Sequence, residues 1–499
     1  MRIGVLEILS DTVRPNLFER SYDHWFRRRF ASIMPQAISA WCRQLGHQVF
    51  YATYYGQQKD PRRLMPDLLD IVFIAACTHV SPIAHMLAKR FRRQNILTVI
   101  GGPHASSFPD DCRRFFDIVV KKCDKAVLKG ILSGDYVTGT VIEDAQPLKA
   151  LPAVEERLPE VKIAHLDRGR ATSQSMISLI TSLGCPYHCD FCVDWDSPYV
   201  TLPTSQFEKD LNFISRHFPN AMVAYHDPNF GVEFDRIMGV ICRQPRARRN
   251  PYIMECSLSI LRRQRMAMLA ETNCVYAIVG IETWSEYSQK AGLHTCRGQT
   301  KFDSISRHIK ILRRYVPNLQ INFLFGTDAD SGDEPVALTK SFLKEIPGIW
   351  PVINSPIPLG GTPLYKTYAS ENRILKSMPF SFYSLPYLCT VLKNYAILDY
   401  YDRMVEIYKA ATSSKVIEQR VRSATSCLGR FFHLLRAANL KKTYWELCRI
   451  RDMLKADRQL RDFHEGKTIE LPQFYRHAYR RKLGPFSNFM TDADMIPRL

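Results

Sequence analysis

Short apolar runs alternate with helical segments along most of this chain, and that alternation constrains its fold more than any other feature. Runs such as RIGVLEIL, DIVFIAACT and ILTVIGG are apolar along nearly their whole length, and helical segments such as IMPQAISAWCRQLGH separate them. A strand with one face in water would instead alternate polar and apolar residues. The pattern therefore predicts parallel sheets covered by helices on both faces, the α/β class.

The alternation forms two series, which predict two α/β domains followed by a helical region. Residues 1–140 predict a doubly wound, Rossmann-like parallel sheet, and the proline-containing residues 141–175 predict a linker. Residues 176–375 hold six further strand–helix units, typical of a partial (β/α)6 barrel whose chemistry lies at the carboxyl ends of its strands. Residues 376–499 are predicted to be mostly helical and basic.

The charge of the chain bears on its partners. The net charge is +19, and residues 401–499 carry 20 Lys and Arg against 11 Asp and Glu. Nucleic acid, anionic lipid and phosphorylated substrates would all be attracted to such a region. The basic residues follow helical segments, as on a solvated helix face, and no nucleic-acid motif is present, so no nucleic-acid partner is expected.

The start of the chain and one aromatic segment bear on location. MRIGVLEIL has no signal-peptide pattern and no apolar run is long enough to span a bilayer, so a cytoplasmic location is expected. Residues 378–402, MPFSFYSLPYLCTVLKNYAILDYYD, are rich in aromatics beside the basic region. They favour either helical core packing or contact with a lipid- or isoprenoid-like substrate and, peripherally, a membrane.

Three of the fourteen cysteines stand together in SLGCPYHCDFC, directly after the apolar run MISLIT. Cys185, Cys189 and Cys192 form a C-x3-C-x2-C array. Such an array can bind an iron–sulfur cluster, or zinc with His188 as fourth ligand, and its C-x-x-C part alone can act as a redox dithiol. Zinc ligands usually come in two pairs, and a dithiol leaves Cys185 without a role. Three thiolates on a 4Fe-4S cluster leave one iron open for substrate or cofactor.

Four segments of the chain resemble one enzyme family. CPYHCDFC resembles the cysteine signature of the radical S-adenosylmethionine (SAM) enzymes, including the aromatic Phe191 before the third cysteine. HDPNFGV (226–232), VGIET (279–283) and PLGGTPLY (358–365) resemble later segments of the same family in the expected order. Each of the three lies at the end of a predicted strand.

The resemblance implies a cofactor set and a type of chemistry. It implies that Cys185, Cys189 and Cys192 ligate a 4Fe-4S cluster whose open iron chelates SAM. An electron from the reduced cluster then splits the sulfonium, and the 5'-deoxyadenosyl radical abstracts hydrogen from an unactivated carbon. A small-molecule substrate and an electron donor such as flavodoxin or ferredoxin are implied as partners.

The same resemblance implies the SAM contacts. They fall on Phe191, Asp227, Asn229 and Glu282, with His226 as a weaker candidate. Barrel packing for Phe191 and salt bridges for the two carboxylates stay open as other roles. The resemblance assigns no hydrogen donor and no general acid or base.

The N-terminal series has a resemblance of its own. TVIGGPHASSFPDD (98–111) resembles a stretch of the cobalamin-binding domains that precede the barrel in one radical SAM class. It implies Gly101, Gly102 and His104 as cobalamin contacts. The D-x-H-x-x-G motif is absent, as is frequent in this class, and KKCDK (121–125) replaces an acidic turn common in relatives. His79, at another strand end, is more typical of an ordinary turn residue.

Three functions therefore stay open. The first is cobalamin-dependent C-methylation of a hydrophobic biosynthetic intermediate. The second is a radical SAM cyclisation, carbon–carbon coupling or rearrangement without cobalamin, the N-terminal sheet being a retained scaffold. The third, of another class, is a zinc-stabilised binding protein.

Overall fold

The N-terminal domain is built on a sheet of six parallel strands in the order β2-β1-β3-β4-β5-β6. The computed structural model describes residues 1–10, 31–56, 60–143, 145–146, 148–167, 169–172, 175–287, 296–424 and 427–499. The strands of this sheet are β1 (Arg2–Ile8), β2 (Gln48–Tyr54), β3 (Ile71–Ala76), β4 (Leu97–Gly101), β5 (Ile118–Val120) and β6 (Thr140–Ile142). The sequence predicted the first five strands and missed the sixth, which has three residues.

Helices cover both faces of this sheet, as the apolar strands predicted. They are α1 (Ile33–Gln44), α2 (Ser81–Arg92), α3 (Pro103–Ser107), α4 (Pro109–Cys112) and α5 (Lys125–Ser133). Alternate side chains of β3 enter two separate cores, with Val72 and Ile74 in one and Ile71 and Phe73 in the other. The doubly wound fold is therefore confirmed, and its strand order places a topological switch point between β1 and β3.

The second domain is an open parallel barrel of six strands in the order β7-β10-β11-β12-β13-β14. Its strands are β7 (Met176–Leu179), β10 (Met222–Tyr225), β11 (Tyr252–Ser257), β12 (Cys274–Glu282), β13 (Asn318–Leu324) and β14 (Trp350–Asn354), and a short antiparallel pair, β8 (Ser182–Leu183) and β9 (Val200–Thr201), follows β7. The strands are neighbours in chain order, so the partial (β/α)6 barrel is confirmed.

Helices separate the strands of the barrel and also interrupt the predicted linker. The linker contains α6 (Leu158–His165), and the barrel helices are α7 (Thr204–His217), α8 (Phe234–Arg243), α9 (Arg263–Glu271), α10 (Gly298–Leu312), α11 (Glu334–Glu345) and α12 (Pro363–Ser370). The buried guanidinium of Arg157, just before α6, donates to Gln36 of α1 at 2.7 Å and to the carbonyl of Ser178 in β7 at 2.9 Å. The predicted linker is therefore a packed connection between the two domains.

The C-terminal region is helical, as predicted. Its helices are α13 (Ile397–Ala411), α14 (Ser414–Arg422), α15 (Cys427–Ala456), α16 (Arg458–His464), α17 (Gln473–Leu483) and α18 (Asp492–Met495). No helix within the described ranges has both the length and the apolar character needed to cross a membrane.

The aromatic residues of 378–402 are mostly interior. Phe380, Phe382, Tyr383, Tyr400 and Tyr401 are each at most 4% exposed. Of the two roles that the sequence left open for these rings, the structure shows core packing. Buried rings cannot form a surface that contacts a lipid.

Candidate active site

The three cysteines lie in a loop that begins where β7 ends and that β8 and β9 close. The antiparallel pairing of β8 with β9 joins the two ends of the loop. Within it, the amide of Cys185 donates to the carbonyl of Ser197 at 3.3 Å, and the amide of Cys192 donates to the carbonyl of Cys189 at 3.1 Å. A side chain on Gly184 would overlap the carbonyl oxygen of Pro198. The loop is therefore held at both ends and internally.

The spacing of the three thiols fits a 4Fe-4S cluster, in which each thiolate binds a different iron, better than it fits a single zinc ion. Their sulfur atoms do not all lie within 4.8 Å of one another, a condition met in the described part of the chain only by His85, His104 and Cys112. Ligand atoms around one tetrahedral zinc lie about 3.3 to 3.8 Å apart. A 4Fe-4S cluster binds each thiolate through a different iron, so it accepts a wider spacing.

His188 does not complete a zinc site in this arrangement. Its ring is exposed, and Nδ1 donates a hydrogen bond to the carbonyl of Trp195 at 2.8 Å. Cys185 and Cys189 are buried, at 6% and 8% exposed. The histidine thus points toward the outer part of the loop while two of the three thiols lie inside, and the donor set fits a cluster.

Asp227 anchors the start of the cysteine loop. Its carboxylate accepts hydrogen bonds from the amide of Thr181 at 3.0 and 3.1 Å, from the Thr181 hydroxyl at 2.6 Å and from the Ser182 hydroxyl at 2.7 Å. Burial raises the pKa of Asp227, and these hydrogen bonds act in the opposite direction. The structure therefore gives this residue a positioning contact, and its predicted role as a SAM contact stays a prediction.

Asn229 lies at the same edge of the barrel and holds an unused donor. Its Oδ1 accepts from the amide of Ser257, at the end of β11, at 2.8 Å. Nδ2 of Asn229 and Oγ of Ser257 are both buried and have no hydrogen-bond partner in the described part of the chain. A buried polar atom left in this state costs about 1–3 kcal/mol, so the pair is suited to a polar ligand. This observation fits a SAM contact at Asn229.

Glu282 ends β12 in an unusual backbone conformation. Its φ is 65°, and the pairing of β12 with β13 shifts between Gly280 and Glu282. A side chain at Gly280 would overlap the Glu282 carboxylate. The bulge therefore turns the carboxylate back over its own strand, and glycine two positions earlier gives it space.

Lys301 is a buried cation beside Glu282 that sequence reasoning missed. It lies on α10 with no exposed surface, and Nζ donates to the carbonyl of Ser285 at 2.8 Å. Burial lowers the pKa of Lys301 to about 8, while the Glu282 and Asp330 carboxylates act to raise it. Burial raises the pKa of Asp330 to about 6. These groups form a charged cluster at the carboxyl ends of β12 and β13.

Tyr287 links the loop after β12 to the cysteine loop, and it was also missed. Its hydroxyl donates to Asp190 at 2.7 Å, and its ring stacks on Phe191 with centroids 6.0 Å apart. Phe191 also packs against Leu364 and Tyr368 of α12. Phe191 is therefore a half-buried contact between three segments, and its predicted place beside the adenine stays a prediction.

The predicted cobalamin residues lie at the carboxyl end of β4, but they differ in accessibility. Gly102 has a φ of 92°, and a side chain there would approach the carbonyl of Ala76 at 3.2 Å, so the turn itself requires glycine. His104 is fully buried against Phe108 and Phe380. Gly101 is partly exposed at the edge. The ring of His104 therefore lies in the core, whereas Gly101 lies at the open edge, and the predicted cobalamin contacts stay predictions.

The carboxyl edges of the two parallel sheets face each other. α3, which follows β4, meets the loop after β14 so closely that a side chain at Gly360 would overlap the carbonyl oxygen of Ser107. On the other side, the hydroxyl of Ser178 near the end of β7 donates to the carbonyl of Ala31 at 2.9 Å. In α/β folds both edges are ligand-binding edges. The site is therefore shared by the two domains.

Two curated methyltransferases are similar in sequence to this chain, and no protein-family model matches it. The chain is 21% identical over 338 residues to the uncharacterized methyltransferase PH0819 of Pyrococcus horikoshii, which covers 63% of this chain and 72% of that protein. It is 22% identical over 322 residues to bacteriochlorophyllide d C-8(2)-methyltransferase of Chlorobaculum tepidum, covering 61% of this chain and 69% of that protein.

Two solved structures are similar to this chain in fold. The radical SAM methyltransferase TsrM of Kitasatospora setae, solved with cobalamin and a 4Fe-4S cluster bound, has a TM-score of 0.55 at 13% identity, covering 74% of this chain and 78% of that chain. The cobalamin-dependent SAM radical enzyme OxsB, solved with aqua-cobalamin, has a TM-score of 0.59 at 12% identity, covering 92% of this chain and 74% of that chain.

The fold of this chain is thus that of the radical SAM enzymes. Within them, it is the fold of the class in which a cobalamin-binding-like domain precedes the barrel. The sequence resemblance is confirmed at the level of the fold.

Proposed function

We propose that this chain is a cobalamin-dependent radical SAM methyltransferase that acts on an unactivated carbon of a small hydrophobic molecule. One observation carries the proposal: the carboxyl edges of the two parallel sheets meet, with the cysteine loop on one side and the switch point of the N-terminal sheet on the other. A reaction that needs both a cluster-bound SAM and a corrinoid requires these two edges to share one space.

Different residues of the chain are proposed to bind the cluster, SAM and cobalamin. Cys185, Cys189 and Cys192 are the cluster ligands, and Asp227 holds the loop that carries them. When bound, the cluster supplies the electron that cleaves SAM and cobalamin carries the methyl group. Asn229 and Ser257 offer SAM two buried polar atoms that no other described residue hydrogen-bonds. Gly101 lies on the cobalamin side of the shared space.

The proposed substrate is a hydrophobic small molecule, and the proposed electron donor is a small redox protein. One similar enzyme acts, by its name, on bacteriochlorophyllide, a hydrophobic small molecule, and both curated relatives are methyltransferases. We place the reaction on a compound of comparable hydrophobic character, with reducing equivalents from a small protein such as flavodoxin or ferredoxin. The expected location is the cytoplasm.

One face of α15 is the surface that we propose for peripheral membrane contact. Phe431, Leu434 and Trp445 are 51%, 52% and 59% exposed, and with Lys441 and Lys442 they lie within one face of that helix. Aromatic and basic residues on one helix face suit an anionic membrane surface. Sedimentation with anionic vesicles should fall with salt and exceed binding to neutral vesicles, whereas equal binding to RNA at matched ionic strength would contradict a membrane role.

The cluster is tested by anaerobic reconstitution. The protein should hold about four irons and four sulfides per chain, and dithionite with SAM should yield 5'-deoxyadenosine and S-adenosylhomocysteine. Cys189→Ala should abolish both cluster and turnover. The matched control is Cys274→Ala, a buried thiol of the barrel outside the loop, which should retain the cluster. Full activity in Cys189→Ala, or stoichiometric zinc without turnover, would end the proposal.

A further inference from the structure

Two histidines and a cysteine that the proposed function leaves unused are buried together in the N-terminal domain. His85 lies on α2, His104 on α3 and Cys112 at the end of α4, and they are 3%, 0% and 0% exposed. One ligand atom of each lies within 4.8 Å of the other two. Three elements thus converge on one point.

Three of the four nitrogens of these histidines have no hydrogen-bond partner among the described residues. Nε2 of His85 and both Nδ1 and Nε2 of His104 are buried and unpaired within the described residues. Buried polar side-chain atoms are paired in the large majority of cases, because each unpaired one costs about 1–3 kcal/mol. Only one nitrogen of each ring can bind a common ion, so a bound metal would satisfy two of these three atoms.

A carboxylate oxygen stands beside both rings. Oδ2 of Asp111 is 3.7 Å from Nε2 of His85 and 3.9 Å from Nε2 of His104, beyond hydrogen-bonding distance. Oδ1 is occupied, since it accepts from the Arg114 guanidinium and the Arg498 amide at 2.8 Å each. Ligand atoms around a tetrahedral zinc lie about 3.3 to 3.8 Å apart. Oδ2 thus lies beside both histidines, but it is not among the ligand atoms that all lie within 4.8 Å of one another, so it has to move to bind the same ion.

The surroundings suit a closed, structural site. The ring of His85 stacks on Phe115 with centroids 4.1 Å apart, and His104 meets the edge of Phe380 at 4.8 Å. Aromatic walls exclude water, so no position is left for an exchangeable ligand. Imidazole, thiolate and carboxylate together are typical zinc ligands.

We propose that His85, His104 and Cys112 bind one structural zinc ion, and that the Asp111 carboxylate beside both histidines moves to become the fourth ligand. Binding replaces the thiol proton of Cys112, which is released to solvent, and no electron is transferred. The site does not depend on the proposed function, because none of its four residues belongs to the cluster loop or the barrel edge.

The ion would tie the end of the chain to the N-terminal domain. Arg114, which holds Asp111, also donates to the carbonyls of Ala493 and Ile496 at 2.6 and 2.8 Å. The amide of Arg498 binds Asp111 directly. A zinc ion bound to Oδ2 of Asp111 would therefore hold in place the carboxylate whose Oδ1 accepts hydrogen bonds from Arg114 and from the C-terminal Arg498.

The test is elemental analysis of the full-length protein, reconstituted anaerobically so that iron occupies the cluster cysteines. We expect about one zinc per chain in addition to the iron, resistant to brief treatment with EDTA. Cys112→Ser should lower the zinc at least about tenfold. The matched control is Cys42→Ser, a thiol with no exposed surface on α1 in the other core of the same sheet, which should keep the zinc.

Two further measurements keep the test decisive. A variant with Cys185, Cys189 and Cys192 all replaced by alanine should still hold about one zinc, because its ligands lie elsewhere. If Cys112→Ser does not fold, the zinc content of His104→Gln and of the unmodified protein tests the site instead. Absence of zinc from the unmodified protein after growth with added zinc, or zinc equally retained in Cys112→Ser and His104→Gln, would overturn the site.

Discussion

The Asp227 carboxylate accepts hydrogen bonds from both the amide and the hydroxyl of Thr181, the latter at 2.6 Å. These two residues belong to different strand ends of the barrel, and their contact fixes the point from which the cysteine loop departs. The geometry of the cluster thus depends on a carboxylate that is 3% exposed and lies 35 residues beyond Cys192 in the sequence.

Asp227→Asn should loosen the cysteine loop. The amide group presents one acceptor where the carboxylate has two, so at least one buried donor loses its partner, at about 1–3 kcal/mol. We expect lower iron content after reconstitution and several-fold faster loss of the cluster's visible absorption in air. Asp210→Asn, at a buried carboxylate that accepts from the Val154 amide, is the control. Iron content equal to that of the unmodified protein would show that the contact does not hold the loop.

Lys301→Met should weaken SAM binding. The substitution removes the cation beside Glu282 and Asp330 and the hydrogen bond to the Ser285 carbonyl. We expect an increase of about tenfold in the dissociation constant of SAM, or about 1.4 kcal/mol, measured by calorimetry on the reconstituted protein. Lys310→Met removes an exposed lysine of the same helix that pairs with Glu345, and it should leave the constant unchanged. An equal effect of both variants would contradict a role specific to the site.

Tyr287→Phe should separate two loops that the hydroxyl joins. Loss of its hydrogen bond to Asp190 is worth about 1 kcal/mol and should speed loss of the cluster about fivefold in air. Tyr276→Phe removes a hydroxyl that donates to Gln320 near the opposite end of the barrel strands, and it serves as the control. Unchanged decay in Tyr287→Phe would mean that Leu364, whose amide donates to the Asp190 carbonyl, holds the loop alone.

Glu7→Gln should change how stability depends on pH. Burial raises the pKa of Glu7 from 4.5 to about 7, opposed by hydrogen bonds from Ser32. The folded protein therefore binds more protons than the unfolded chain, and stability falls as pH rises from 4.5 to about 7. The loss is of the order of 3 kcal/mol.

The pH effect is measured by thermal unfolding of the apoprotein at pH 5 and pH 8. Glu7→Gln should raise the midpoint at pH 8 relative to the unmodified protein and do so less at pH 5. Glu155→Gln, at an exposed carboxylate, is the control and should show no such difference. A parallel shift of Glu7→Gln at both pH values would contradict a titrating Glu7.

Local pattern was sufficient to predict the elements of the fold. β3 and β4 are continuous apolar runs, and the cysteine loop is a contiguous motif, so each could be read from neighbouring residues. β6 was missed because its three residues begin with a polar threonine and only the last is buried, whereas the three residues of β5 are all apolar and buried. β8 and β9 were missed because two-residue strands are defined by pairing alone.

The contacts within the site could not be read in the same way. Tyr287 reaches Asp190 across 97 positions, and Lys301 acts on carboxylates before and after it in the chain. Nothing in the flanking residues distinguishes either from a surface side chain. The resemblance of residues 98–111 implied His104 as a cobalamin contact, and only the packing of Phe108 and Phe380 reveals that α3 turns its ring into the core.

The central claim is that SAM and cobalamin act together between the two sheets, and isotope transfer tests it most directly. Protein reconstituted anaerobically with iron, sulfide and hydroxocobalamin should retain about one corrinoid and four irons per chain. With dithionite and SAM bearing a deuterated methyl group, the deuterated methyl should appear on the bound corrinoid, detected by mass spectrometry. Gly360→Ala, which forces the domains apart, should reduce corrinoid retention, whereas Gly239→Ala, on a helix with open space around it, should not. Failure to retain any corrinoid while 5'-deoxyadenosine still forms would contradict the methyltransferase account and leave a radical SAM enzyme of another reaction type.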